Sequence, residues 1–166
     1  MDSIATFINK LNETVGKLNG LLILPLVGVV MYEVVLRYLF NSPTSWGFEL
    51  TVFLYGVHYM LGLGFTEGRG GHVAVDVLVN MLSERKRALV AIISSIVLFV
   101  PVWAVMTYAA INYAITSTAG LERNATSWGP PIWPFKILMA VGFVLLLLQG
   151  LATIIRHIET YRELGR

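Results

Sequence analysis

The chain has no cysteine, which excludes disulfides, thiolate metal sites and thiol nucleophiles and leaves the redox compartment unreadable from sulfur. It is short of charge as well. Asp, Glu, Lys and Arg make up 13% of its 166 residues, while 56% are hydrophobic and the mean hydropathy is +0.71. A soluble globule carries about 25% charged residues, so water is not the only solvent of this chain. Also missing are HExxH, a nucleophile motif, a phosphate-cradling loop and a metal-ligand cluster, and little sequence lies outside apolar runs in which to build one. No enzymatic activity, cofactor or nucleic-acid partner is expected.

What the sequence does contain is four apolar runs, at about residues 18–40, 46–65, 88–116 and 132–155. Each reaches the roughly 20 residues that a helix needs to cross about 30 Å of hydrocarbon. Their apolarity is continuous rather than alternating, and an open sheet in lipid leaves backbone groups unpaired, so strands are disfavoured. The expected fold is an all-α membrane protein, a single four-helix transmembrane domain over residues 1–166. Interfacial amphipathic helices are expected at residues 1–19 and between the second and third spans. Nine of the twelve Lys and Arg fall on one side of such a bundle, namely Lys10, Lys17, Arg69, Arg85, Lys86, Arg87, Arg156, Arg162 and Arg166. Arg37, Arg123 and Lys136 fall on the other, so both termini are expected in the cytoplasm. The first run carries Glu33 and meets no small-residue cleavage site, so it is expected to be retained rather than removed as a signal peptide.

Within residues 1–19, Ile4, Phe7, Ile8, Leu11, Val15 and Leu18 recur at the spacing of one helical face. That face suits either the membrane surface or another subunit. Asn19-Gly20 breaks the chain before the first span, and Asn41-Ser42-Pro43-Thr44-Ser45 is a turn-rich, tight connection between antiparallel helices. Residues 69–82 are ambiguous, because Val73, Val75, Val77 and Val79 alternate like a strand while His72, Asp76, Asn80 and Ser83 make a polar stripe at helical spacing. A lone strand has no pairing partner here, so a boundary helix with one wet face is expected. The third run would be roughly 43 Å long as a helix, which calls for tilt or a projecting end. Pro101 is a candidate kink within it. Trp46, Trp128 and Trp133 gather at the outer surface as anchors.

Glu33 and Arg37 sit inside the first span, where an ionised group costs at least about 2.5 kcal/mol and marks a functional hypothesis. Four apart with the acid first, they share a helix face and can pair. Glu49 can reach Arg37 across the short turn. One interpretation is an ion network pinning the outer ends of two helices. The other makes Glu33 the proton carrier of an independent small proton-coupled exporter, although the adjacent Arg holds that carboxylate ionised and opposes proton exchange near neutral pH. His58 lies near the middle of the second span, but His72 and His157 are not at a matching depth to share a haem, so a hydrogen-bonded packing histidine is expected. Asn112 and Gln149 are expected to make interhelical hydrogen bonds and Lys136 to snorkel outward. Gly56, Gly62 and Gly64 favour close helix packing.

Taken in order, Glu33-x3-Arg37, Ser45-Trp46-x2-Glu49, Gly62 and Gly71-His72-Val73-x-Val75-Asp76 resemble the small permease subunit, or DctQ family, of tripartite ATP-independent periplasmic (TRAP) transporters. The resemblance covers about residues 20–85 by motif and the whole chain by topology. It implies a bacterial inner-membrane complex in which a periplasmic binding protein delivers a small organic anion to a membrane pair. The large permease subunit of that pair holds the substrate and sodium sites, and the small subunit braces it among membrane lipid and carries no catalytic residue. Glu33, Arg37, Trp46, Glu49, His72 and Asp76 are the positions that match the family pattern, with structural or interface roles implied. One departure is Gly47-Phe48, where the family often has a second acid or small residue beside the Trp. That leaves Glu49 as the one acid there.

Overall fold

A computed structural model describes residues 2–70 and 81–164. The helices are α1 (Asp2–Gly20), α2 (Ile23–Leu39), α3 (Gly47–Gly68), α4 (Glu84–Ser94), α5 (Val100–Ala119) and α6 (Trp133–Glu163), with a π-helical segment Ser95–Phe99 joining α4 to α5. Four stretches are long and apolar enough to cross a membrane: Ile4–Leu39, Gly47–Gly68, Glu84–Ala119 and Trp133–Glu163. The expected boundary helix falls largely on residues 71–80, outside the described residues, together with His72 and Asp76.

Helix α6 is the hub. It packs against α1, α3, α4 and α5, whereas α2 leans on α3. Small and mid-sized side chains make this possible: Ala140, Gly142, Leu145, Gly150 and Ala152 are buried along α6, and Leu146 is fully buried. The close crossing of α3 and α6 depends on Gly142, where a Cβ would sit 2.6 Å from the Met60 carbonyl oxygen. In lipid, where there is no hydrophobic drive between helices, such close backbone approach is a main source of association. Of the glycines singled out above on α3, Gly64 meets Asn12 of α1, while Gly56 faces open space.

Helix α1 lies along α3 and α6. Between Asn12 and Asn19 its partners on α3 step back from Gly64 to His58, so the two helices are antiparallel. Of the apolar stripe expected there, Ile4, Phe7, Leu11 and Leu18 are exposed, whereas Ile8 turns inward against Ala152 and is buried with Ala5, Asn12 and Asn19. Apolar outside with small and polar inside is the pattern of a helix whose surroundings are apolar. The break at Asn19-Gly20 takes the form of a short turn, with Leu21 N donating to Leu18 O and Leu22 N to Asn19 O. Pro101 follows the π-helical segment of the third span, at the start of α5. It cannot donate to the helix ladder, and the backbone widens into the Ser95–Phe99 π turn just before it.

Candidate functional site

The loop between α2 and α3 folds back onto Glu33. Helix α2 ends with Asn41 in the left-handed region, φ 48°, and Ser42 N donating to Leu36 O at 3.0 Å, a helix-terminating pattern that Asn tolerates. The chain then turns so that Thr44 lies over Glu33. Glu33 Oε2 accepts from Thr44 Oγ1 at 2.6 Å and from Thr44 N at 3.2 Å, and Oε1 accepts from Arg37 Nη2 at 2.8 Å. Thr44 Oγ1 in turn accepts from Gly47 N at 2.9 Å, satisfying the first backbone N–H of α3. A Cβ on Gly47 would lie 2.7 Å from both Glu33 Oε2 and Thr44 Oγ1, so the clamp closes only around glycine. Trp46 stacks on Tyr32 with ring centroids 5.9 Å apart, adding an apolar seal beside it.

Glu33 and Arg37 therefore pair as their spacing indicates, but Glu49 does not join them. Its Oε2 accepts from Asn124 Nδ2 at 3.1 Å, across the bundle in the loop between α5 and α6. The start of α3 faces that loop, so one turn of helix carries Glu49 away from the α2 side. The loop itself is a small closed turn, with Arg123 bridged to Pro131 and Ile132 N donating to Glu122 O. Lys136 reaches out of its span toward that same loop, as a snorkelling lysine does. It is 9% exposed, donates to Glu122 Oε2 and lies 3.7 Å from the centroid of the Tyr113 ring, so its ammonium ends in an ion pair rather than in water.

His58 is a packing histidine: its Nδ1 lies 3.1 Å from Asn19 O, and Asn19 Nδ2 donates to His58 O at 2.7 Å. Gln149 makes the expected interhelical bonds, to Asn9 and Asn12 of α1. Asn112 instead sits on the exposed side of α5, and Thr107 supplies the hydrogen bond to α6, at 3.4 Å to Phe143 O. Sequence reasoning missed Thr44 and Asn124 as partners of the two acids. Thr44 carried a usable signal, a hydroxyl residue three positions before a helix start. Asn124 carried none, because nothing local ties it to Glu49, 75 positions away.

Chemically the arrangement holds rather than reacts. Both oxygens of Glu33 are occupied by donors from its own helix and its own loop. Among the described residues no three His, Asp or Glu side chains gather as a metal would require.

Comparison with known proteins agrees with this architecture. The model of the family described as "Tripartite ATP-independent periplasmic transporters, DctQ component" matches residues 26–160. The chain is 26% identical over 143 residues to the sialic acid TRAP transporter permease protein SiaT of Haemophilus influenzae, covering 83% of this chain and 22% of the relative. It is 39% identical over 62 residues to the C4-dicarboxylate TRAP transporter small permease protein DctQ of Vibrio cholerae, covering 37% of this chain and 27% of the relative. The matched segments thus span about a quarter of the length of these relatives. A multi-pass membrane chain matched by that family model over most of its length belongs to the DctQ component family of TRAP transporters, whose small permease subunits are transport components rather than enzymes.

Proposed function

We propose that this chain is the small, non-catalytic permease subunit of a sodium-coupled, binding-protein-dependent secondary transporter for small organic anions, and that it braces a large permease subunit in the bacterial inner membrane. The observation that carries this reading is the closed state of Glu33, whose oxygens are taken by Arg37 and Thr44. Glu33 lines a cavity with Arg37, Tyr38 and Phe48, but a proton-coupled exporter needs that acid unpaired as well, and it is not. Among the described residues the other charged side chain buried within a span, Lys136, is closed on Glu122. Nor is any described span unwound at mid-depth in the way that ion and substrate sites of secondary transporters usually are.

Further support comes from the relatives. One is named for sialic acid and the other for C4-dicarboxylates, both organic acids, and the first is a far longer chain of which the matched part is 22%. Glu33, Arg37, Trp46, Glu49, His72 and Asp76 take structural or interface roles in this reading, and the substrate contacts lie on the partners, a large permease and a periplasmic binding protein. The nine basic residues on one side support a topology with both termini in the cytoplasm. A reporter fused to the C-terminus and found active only in the periplasm contradicts that orientation.

Reconstitution tests the functional reading. The chain alone in liposomes is expected to show no sodium-driven organic-anion uptake, and uptake is expected once a large permease and its binding protein are added. Uptake by the chain alone overturns the proposal.

A further inference from the structure

Asn12, Asn19, Glu33, Lys136 and Gln149 all close on partners within the four-helix unit. Asn112 does not. It is exposed on α5, and among the described residues neither it nor Thr116, exposed one turn later, finds a side-chain hydrogen-bond partner. Its neighbours fix its depth. Tyr113 lies against the Lys136 ammonium and Thr107 bonds to Phe143 O, so Asn112 stands level with the α6 turns between those two residues, inside the apolar runs of both helices. An amide there carries two donors and an acceptor, and hydrocarbon can satisfy none of them. Thr118, on the same helix, bonds back to Ala114 O; Asn112 makes no such local bond.

The face around Asn112 has the composition of a helix contact. Helix α5 turns Thr107, Ala110, Ala114 and Ser117 inward, where they are buried. On its opposite side Val105, Tyr108, Asn112 and Thr116 recur at helical spacing, all exposed, with Ala109 beside them. Spanning helices associate through small residues that admit a close neighbour and through polar side chains that bond across. Next around the helix, Ile111 and Ile115 wall an apolar groove of about 640 Å³ whose far side is Ile137, Val141 and Val144 of α6.

We propose that this face of α5 docks a membrane-spanning helix of the large permease subunit, which presents an amide or hydroxyl to Asn112 and sets apolar side chains into the groove. The occupant has to lie in the bilayer and bring a donor or acceptor to that depth, which an acyl chain cannot do. A second copy of this chain has an amide to offer, but the Haemophilus influenzae relative carries the matched segment as 22% of one far longer chain. A four-helix unit that is continuous with a larger membrane body in one relative favours that body over a self-pair here. The inference rests on the subunit reading above and adds to it the place of contact.

The test uses the full chain co-expressed with its large permease, with a benzophenone-bearing amino acid at position 112, and measures the affinity of Asn112→Leu for the permease. Irradiation is expected to join the chain to the large permease. Interhelical hydrogen bonds in bilayers are worth a factor of roughly three on average and up to about twentyfold, so Asn112→Leu is expected to weaken the complex by that much. The melting temperature of the isolated variant is expected not to fall, because Asn112 has no partner within the unit. A fall assigns Asn112 to the fold and overturns the proposal. A cross-link to a second copy, or to lipid alone, also overturns it, as does unchanged affinity of Asn112→Leu. In these cases a complex that still forms with the unaltered chain leaves the subunit reading standing, whereas failure of the unaltered chain to bind the large permease overturns both.

Discussion

Asn12 and Gln149 are 137 positions apart in the chain and 3.0 Å apart in space, Asn12 Nδ2 donating to Gln149 Oε1. This bond, with the Gln149 to Asn9 bond beside it, fixes the register of the N-terminal helix against the hub helix. Replacing Gln149 by Leu keeps the volume and strands Asn9 Oδ1. The expected result is a loss of about 1 kcal/mol, read as a lower melting temperature in detergent. An unchanged melting temperature means that α1 is held by its apolar contacts, such as Ile8 against Ala152, alone.

Gly142 and Gly56 make a matched pair. An added methyl at Gly142 collides with the backbone of Met60, whereas at Gly56 it meets nothing within 4 Å. Gly142→Ala is therefore expected to destabilise by about 1–3 kcal/mol, and Gly56→Ala to be neutral or stabilising by up to about 1 kcal/mol through helix propensity. Equal effects at both sites contradict the crossing geometry.

Glu122 lies outside the spans, and the Lys136 ammonium holds its carboxyl below its ordinary value of 4.5. A group whose folded value is depressed contributes stability above its unfolded value and loses it as pH falls through the folded one. Stability from this pair is expected to be constant near neutral pH and to decline only once pH drops below about 4.5. The measurement is melting temperature against pH for the unaltered chain and for Glu122→Gln, in which the acid-side decline is expected to be smaller. Parallel curves contradict the assignment.

Much of this molecule is legible in its sequence because its solvent is so restrictive. Lipid demands continuous apolar helices, so the four spans and the Glu33 to Arg37 pair follow from local spacing. The exceptions are long-range. Glu49 is expected beside Arg37, but the rotation of α3 turns it toward Asn124, and Lys136, expected to snorkel outward, does reach the loop outside the spans but closes there on Glu122. On α1 the apolar stripe is visible at once, whereas the opposite stripe through Asn12, Gly16 and Asn19 is the one that docks. Polar and small residues mark the inner face of a helix only once its surroundings are known to be apolar.

Within the Glu33 clamp, Arg37→Ala leaves a carboxylate at depth with Thr44 as its remaining partner, whereas Glu33→Gln combined with Arg37→Met removes both charges. Breaking one half of a partly buried pair is typically worse than removing the whole. Arg37→Ala is accordingly expected to lower folded yield and co-purification with the large permease more than the double change does. The reverse order means that the pair contributes nothing to assembly.

The most direct measurement of whether this subunit braces or carries is transport per assembled complex by the Glu33→Gln variant at two pH values. The structural account predicts that less complex is recovered, because Thr44 and Gly47 lose the carboxylate around which the loop closes, and that each recovered complex transports with an unaltered pH dependence. Normal assembly with no transport at either pH contradicts it and makes Glu33 a proton carrier.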